Sequence, residues 1–194
     1  MIIANTLSDD TTLSSTVANN AQIEALNWLA DAFWNVPSSD LLERFNADAF
    51  VHAGYNAQLV DGLRNAIESM DEAALHDAAV DHTMMFALGT ENAPLPYESV
   101  YSGSDRQLMK PERDEVYALY QRYGYVPMSD DVQEPEDHVS HELRFLAYLL
   151  ESGNEDVIQD FLADHANRWI PLFAQEVNDQ ADTAFYKSIS QLML

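Results

Sequence analysis

Apolar residues recur three and four positions apart from Val17 to the C-terminus, and no stretch alternates them convincingly every second position. A 3.6-residue period lines one face of a helix, whereas a half-buried strand needs a period of two. The chain is therefore all-α, a helical bundle of roughly nine to eleven helices. Ala25, Leu26, Leu29, Ala32, Phe33 and Val36 mark the first helix, and Pro37 stops it. Ser38-Ser39-Asp40 offers a cap for a short helix carrying Leu41, Leu42 and Phe45. Leu59, Leu63, Ile67 and Met70 form a further stripe, and Leu75, Ala79, Met85 and Phe86 another that runs out at Gly89.

Residues 89–110 break this pattern with two prolines, two glycines and few periodic apolar positions. They are expected to form a loop or hinge between two helical halves of one domain spanning 1–194. Beyond it, Pro111 opens a helix that Gly124 ends, and Val139, Leu143, Leu146 and Leu150 mark the next, closed by Gly153. Asn154 is expected to cap a helix through Phe161 and His165, Pro171 to kink or split the helical stretch beyond it, and Thr183 to Leu194 to form the last helix. Residues 1–15, rich in Ser, Thr and Asp, are expected to be disordered.

Composition narrows the function classes. There are no cysteines, so disulfide frameworks and thiolate metal sites are excluded, and 47% hydrophobic residues is ample for a core. No stretch has the apolar length of a membrane span, and Met1-Ile2-Ile3-Ala4-Asn5 lacks the basic region of a signal peptide, which points to a cytoplasmic protein. The net charge of −24 repels nucleic acid and anionic lipid and attracts basic partners. Hydrolase and nucleotide chemistry find little support: no G-x-S-x-G occurs, and the six glycines are scattered singly rather than gathered into a phosphate loop.

The most informative segment is Glu134-Pro135-Glu136-Asp137-His138. Proline suits a first helical turn, and acidic residues suit the positive end of a helix dipole. An imidazole there opposes the dipole, which disfavours its protonated form. Asp137 is thus expected to cap the following helix, and His138 to have no capping duty. Together with Leu143, Phe145, Leu146 and Leu149, this segment resembles the E-P-x-D-H signature of the TorD/DmsD family of redox-enzyme maturation chaperones. Leu95-Pro96-Tyr97-Glu98-Ser99-Val100-Tyr101, the Tyr-rich stretch Tyr117 to Gly124, and the run Phe161, Leu162, His165, Trp169 and Phe173 are similar to further family segments in the same order.

The resemblance implies a non-enzymatic chaperone without a cofactor. Its partners would be the twin-arginine leader peptide and the apo-form of a molybdenum-cofactor oxidoreductase, held until the cofactor is inserted; the chain would be a monomer or a domain-swapped dimer. The site residues expected for peptide binding are Tyr97, Glu98, Tyr101, Glu134, Pro135, Asp137 and His138, with Asp130 and Asp131 adding to an acidic rim. Tyr97 and Tyr101 either recognise arginine and apolar side chains or plug the junction between the halves. The two segments are expected to converge in space, and His138 to alter the charge of the rim with pH. His141 is expected to pair with Asp137 or solvent, and His165 to be a core residue bonded to a backbone carbonyl. The alternative is a small helical metal-dependent hydrolase using His138 and His141, although H-x-x-H-E matches neither common zinc order.

Overall fold

A computed structural model describes residues 12–88, 92–127 and 134–194. The expected disorder of residues 1–11, the stop at Gly89 and the rim residues Asp130 and Asp131 fall outside them. Among the described residues the helices are α1 (Thr12–Trp34), α2 (Ser39–Glu43), α3 (Ala47–His52), α4 (Ala57–Glu68), α5 (Glu72–His82), α6 (Glu98–Tyr101), α7 (Pro111–Tyr123), α8 (Val139–Ser152), α9 (Glu155–Phe161), α10 (Asn167–Gln180) and α11 (Ala184–Met193). There is no strand among them, only an isolated antiparallel bridge between Tyr97 and His138. The all-α class holds, and α1 begins at Thr12, earlier than the polar composition of residues 12–15 suggests.

Local chemistry explains most boundaries. Ser38 Oγ accepts from the Leu41 N–H, Asn46 Oδ1 from Ala49 and Asp71 Oδ1 from Ala74, each relieving an orphan donor of a first turn. Gly124 and Gly153 close α7 and α8 at φ of 74° and 69°, where a side chain would be strained. Asn154 precedes α9 but makes no cap bond; its side-chain N–H donates to Ser152 Oγ. Pro171 does not split α10. A π-helical turn, Leu162–Ala166, joins α9 to α10 just before it, with the Asn167 N–H reaching back to Leu162 O. A second π-helical turn, Thr83–Ala87, extends α5.

Helix α8 runs along α1 at the centre, and α11 packs against α4 and α10. Val139 through Ala147 is buried without a break, so α8 is enclosed on every side rather than amphipathic. Its polar residues are mostly partnered across helices. Ser140 Oγ donates to Ala30 O at 2.8 Å, and Arg144 pairs with Asp31 at 2.6 Å while lying over the Trp34 ring. These bonds fix how α8 sits on α1, and with it the position of the segment that precedes α8.

Candidate functional site

The chain enters α8 through a turn in which the His138 N–H donates to Pro135 O at 3.1 Å. His138 is itself the N-cap: its Nδ1 accepts from the Ser140 N–H at 3.1 Å. An imidazole in this bond must be unprotonated at Nδ1, so the neutral ring carries its proton on Nε2. Asp137 does not cap α8. Its Oδ2 accepts from the Ser99 N–H at 2.9 Å, so it serves the first turn of α6, 38 residues away in sequence. The expected roles of these neighbours are thereby exchanged. Both a carboxylate oxygen and Nδ1 can accept a backbone N–H, and the docking of α6 decides which does so here.

The two segments converge as expected. The Glu98 N–H donates to Asp137 O at 3.0 Å, and the Val139 N–H to Pro96 O at 2.8 Å. Tyr97 OH donates to Glu134 Oε2 at 2.5 Å. Arg113, in α7, anchors the turn from behind through Glu136 at 2.5 Å, and Tyr120 OH donates to Glu136 O at 3.1 Å. Residues 98–101, read from sequence as loop, form the single turn α6.

The His138 ring stands edge-on to Trp34 and Tyr97, with centroids 5.2 and 5.1 Å away. These rings belong to a pocket of about 270 Å³, walled also by Phe33, His82 and Phe86, with Glu134 in its lining. His82 is buried, its ring edge-on to Phe86 with centroids 5.2 Å apart. Burial pushes the His138 pKa well below its ordinary value, with nearby His141 and Arg144 adding to the effect. His141, buried against Trp34 and not paired with Asp137, is pushed down to about 4 by the same cause. The imidazoles are therefore neutral near physiological pH, and His138 does not tune the charge of the rim there.

Behind the pocket lies a buried polar shelf. Glu98 is 4% exposed and Asp137 and Glu142 are fully buried. His165 Nδ1 lies 3.0–3.1 Å from both Glu98 oxygens, a carboxylate partner in place of the expected backbone carbonyl. Trp169 Nε1 donates to Glu142 Oε2 at 3.0 Å. Desolvation raises the Glu142 pKa well above its ordinary value, reinforced by the neighbouring Glu98 carboxylate. Glu98 and Asp137 are raised for the same first reason.

Of the seven residues expected from sequence, Tyr97, Glu134 and His138 line the pocket, and Pro135 shapes the turn beside it. Asp137 and Glu98 lie beneath, holding the two segments together. Tyr101 is not part of the pocket lining: it stacks on Trp169 at 5.6 Å and donates to Glu176, which Arg106 grips with two bonds of 2.6 and 3.0 Å. Tyr101 is thus a packing residue that docks the 92–110 segment on α10. Sequence reasoning missed Trp34, His82 and Phe86, whose helical spacing reads only as core.

The hydrolase alternative fares poorly. No group of three or more His, Cys, Asp or Glu among the described residues is arranged to hold a metal, and His138 spends Nδ1 on its cap.

Residues 53–175 match the family model described as nitrate reductase delta subunit. The chain belongs to this family. The resemblance to the TorD/DmsD chaperones is borne out by curated relatives. The TorD chaperone protein of Shewanella loihica is 30% identical over 127 residues, covering 63% of this chain and 60% of that protein. The TorD chaperone protein of Vibrio cholerae is 26% identical over 200 residues, covering 92% of this chain and 89% of the relative. The fold matches a crystal structure of a redox enzyme maturation protein from Archaeoglobus fulgidus with a TM-score of 0.60 and 18% identity, over 98% of this chain and 96% of that one. The two TorD relatives are named as chaperones. No helix among the described residues is long and apolar enough to cross a membrane.

Proposed function

We propose that the protein is a cytoplasmic chaperone for the maturation of an exported molybdoenzyme, and that it holds the client's twin-arginine leader at the pocket between α1, α5 and the Tyr97–Glu134 contact. The observation that carries this reading is the pocket's make-up: Trp34, Tyr97 and Phe86 as ring walls, with the Glu134 carboxylate among them. A guanidinium fits such a place, since rings stabilise it by cation–π contact and a carboxylate by charge-assisted hydrogen bonds. The neutral His138 and His82 imidazoles add no repelling charge. Asp137 and Glu98 position the walls without touching the peptide. Holding the leader delays export until the cofactor is in place.

Calorimetry with a synthetic leader peptide tests this. Affinity is expected to fall as salt rises, since acidic protein meets basic peptide. It is also expected to fall when both arginines are replaced by glutamine, or when Trp34→Ala removes a wall. A leader that binds Trp34→Ala normally, with no preference for its arginines, sits elsewhere.

A further inference from the structure

A second concave surface, larger than the leader pocket, has His165 of the buried shelf in its lining. The groove between α7 and α9 encloses about 450 Å³, and its lining includes Leu119, Tyr123, Val157 and Phe161. Its remaining lining is strongly acidic: Glu115 on α7, Asp160 on α9 and Asp164 on the π-helical turn that follows. Asp164 is partnered by Arg168, but no ion pair reaches Glu115 or Asp160 among the described residues. Arg122 is the single arginine or lysine in the lining, and it lies over the Tyr123 ring, 5.5 Å from its centroid.

The two π-helical turns sharpen the comparison with the pocket. One contributes Phe86 and Ala87 to the leader pocket, and the other contributes Asp164 and His165 to this groove. A π-turn is a costly irregularity within a helix, and such turns cluster at functional sites. Each falls on the wall of one of the two hollows.

We infer that this groove is a second docking surface, taking a basic amphipathic helical segment of a partner protein, with its apolar face on Leu119, Tyr123 and Val157 and its Lys or Arg side chains at Glu115 and Asp160. Apolar side chains in a groove supply the binding energy of a helix, and complementary charge at the rim supplies orientation. Charge disfavours other occupants. A second copy of this chain brings net charge −24 to an acidic rim. Residues 1–11, 89–91 and 128–133 contain no lysine or arginine. The inference is independent of the leader reading, because the groove and the leader pocket share no residue.

The probe is a labelled synthetic helix-forming peptide with leucines on one face and lysines on the other, so that it carries no guanidinium for the leader pocket, followed by fluorescence anisotropy. Ala118 is exposed in the groove, so Ala118→Trp fills it without entering the core. Glu115→Lys with Asp160→Lys reverses the rim, and Glu72→Lys with Asp77→Lys makes the same change of net charge on exposed positions of α5. The groove pair and Ala118→Trp are each expected to weaken binding on the order of fivefold, about 1 kcal/mol. The α5 pair is expected to change it less than about twofold, since screened charges act locally. Trp34→Ala is expected to leave the probe's affinity unchanged. Equal losses from both lysine pairs would reduce the effect to the general acidic field and overturn the inference. So would normal binding by Ala118→Trp, or loss of probe binding in Trp34→Ala, which places the peptide in the leader pocket.

Discussion

Two regions of this molecule are buried equally well and built on opposite principles. At one corner Trp28 is surrounded by Phe45, Phe50 and Phe185, with ring centroids 5.1, 5.7 and 6.2 Å away. At the α6–α8 junction the buried groups are Glu98, Asp137, His138 and Glu142, tied by directional bonds to Ser99, Ser140, His165 and Trp169. The first region gains stability from apolar area, which is non-directional and tolerates isosteric change. The second gains little net stability from each bond but loses much when one partner is left unpaired in the interior. It uses burial to hold two segments in register, and the pocket rests on that register.

The contrast breaks most sharply at Phe50, which is 1% exposed. Phe50→Ala is expected to cost about 3–5 kcal/mol by urea denaturation. Leader affinity per folded molecule is expected to stay normal, since Phe50 is absent from the pocket. If affinity falls together with stability, the two regions are not separable in the way described.

Asp137→Ala comes next. It strands the buried Ser99 N–H, a penalty of about 1–3 kcal/mol, and leaves only the backbone bonds to hold α6 against the turn before α8. Leader binding is expected to be lost along with that stability, because Tyr97 is carried on the segment leading into α6. Asp137→Asn can still accept the Ser99 N–H and is expected to recover most of both. A variant that loses stability yet keeps full affinity separates the pocket from the α6–α8 register.

Asp137 and His138 also mark the limit of what was legible in the sequence. The helical class, the caps at Ser38, Gly124 and Gly153, and the convergence of the Tyr97 and Glu134 segments are readable from periodicity, local chemistry and motif. The division of labour between Asp137 and His138 is not, because either side chain can cap a helix and the choice depends on a turn 38 residues away. Helix α6 is a single turn, too short to display a period. The His165–Glu98 contact spans 67 residues, and Trp34, His82 and Phe86 carry helical spacing indistinguishable from ordinary core. Pocket walls assembled from separate helices leave no local signature.

A third test concerns charge in the shelf. The folded-state pKa of Glu142 is raised by burial, so folding favours its protonated form. The stability it contributes is complete below its unfolded value and is lost as pH rises through the folded one. Glu142→Gln replaces the neutral acid with a neutral amide that can still accept from Trp169 Nε1. The variant is expected to be the more stable at pH 7, with the advantage shrinking toward pH 5 at a slope approaching about 1.4 kcal/mol per pH unit, one proton's worth. Taking the difference between variant and wild type cancels the titration of the buried histidines. A difference that stays constant with pH places a charged Glu142 in the folded interior at neutral pH.

The smallest expected effect is an absence, and it bears on how the pocket meets a basic leader. The pKa values of His138, His141 and His82 are all lowered, first by burial. For a histidine lowered in the fold, stability is complete above the unfolded value near 6.5 and is lost as pH falls toward the folded one. Burial thus favours the neutral form of all three rings in the folded protein, and no new positive charge is expected at the proposed leader site as pH falls toward 6. Leader affinity measured by calorimetry across that range is expected to be flat, while stability begins to decline only as pH falls below about 6.5. A surface histidine in contact with the peptide would instead weaken binding in a step near 6.5, as a new positive charge faced the arginines. A step of that kind in the wild type that disappears in His138→Asn, whose side chain can still accept the Ser140 N–H, would mean that the ring opens to solvent when the leader is bound. The pocket would then be a mobile rim rather than a fixed, desolvated wall.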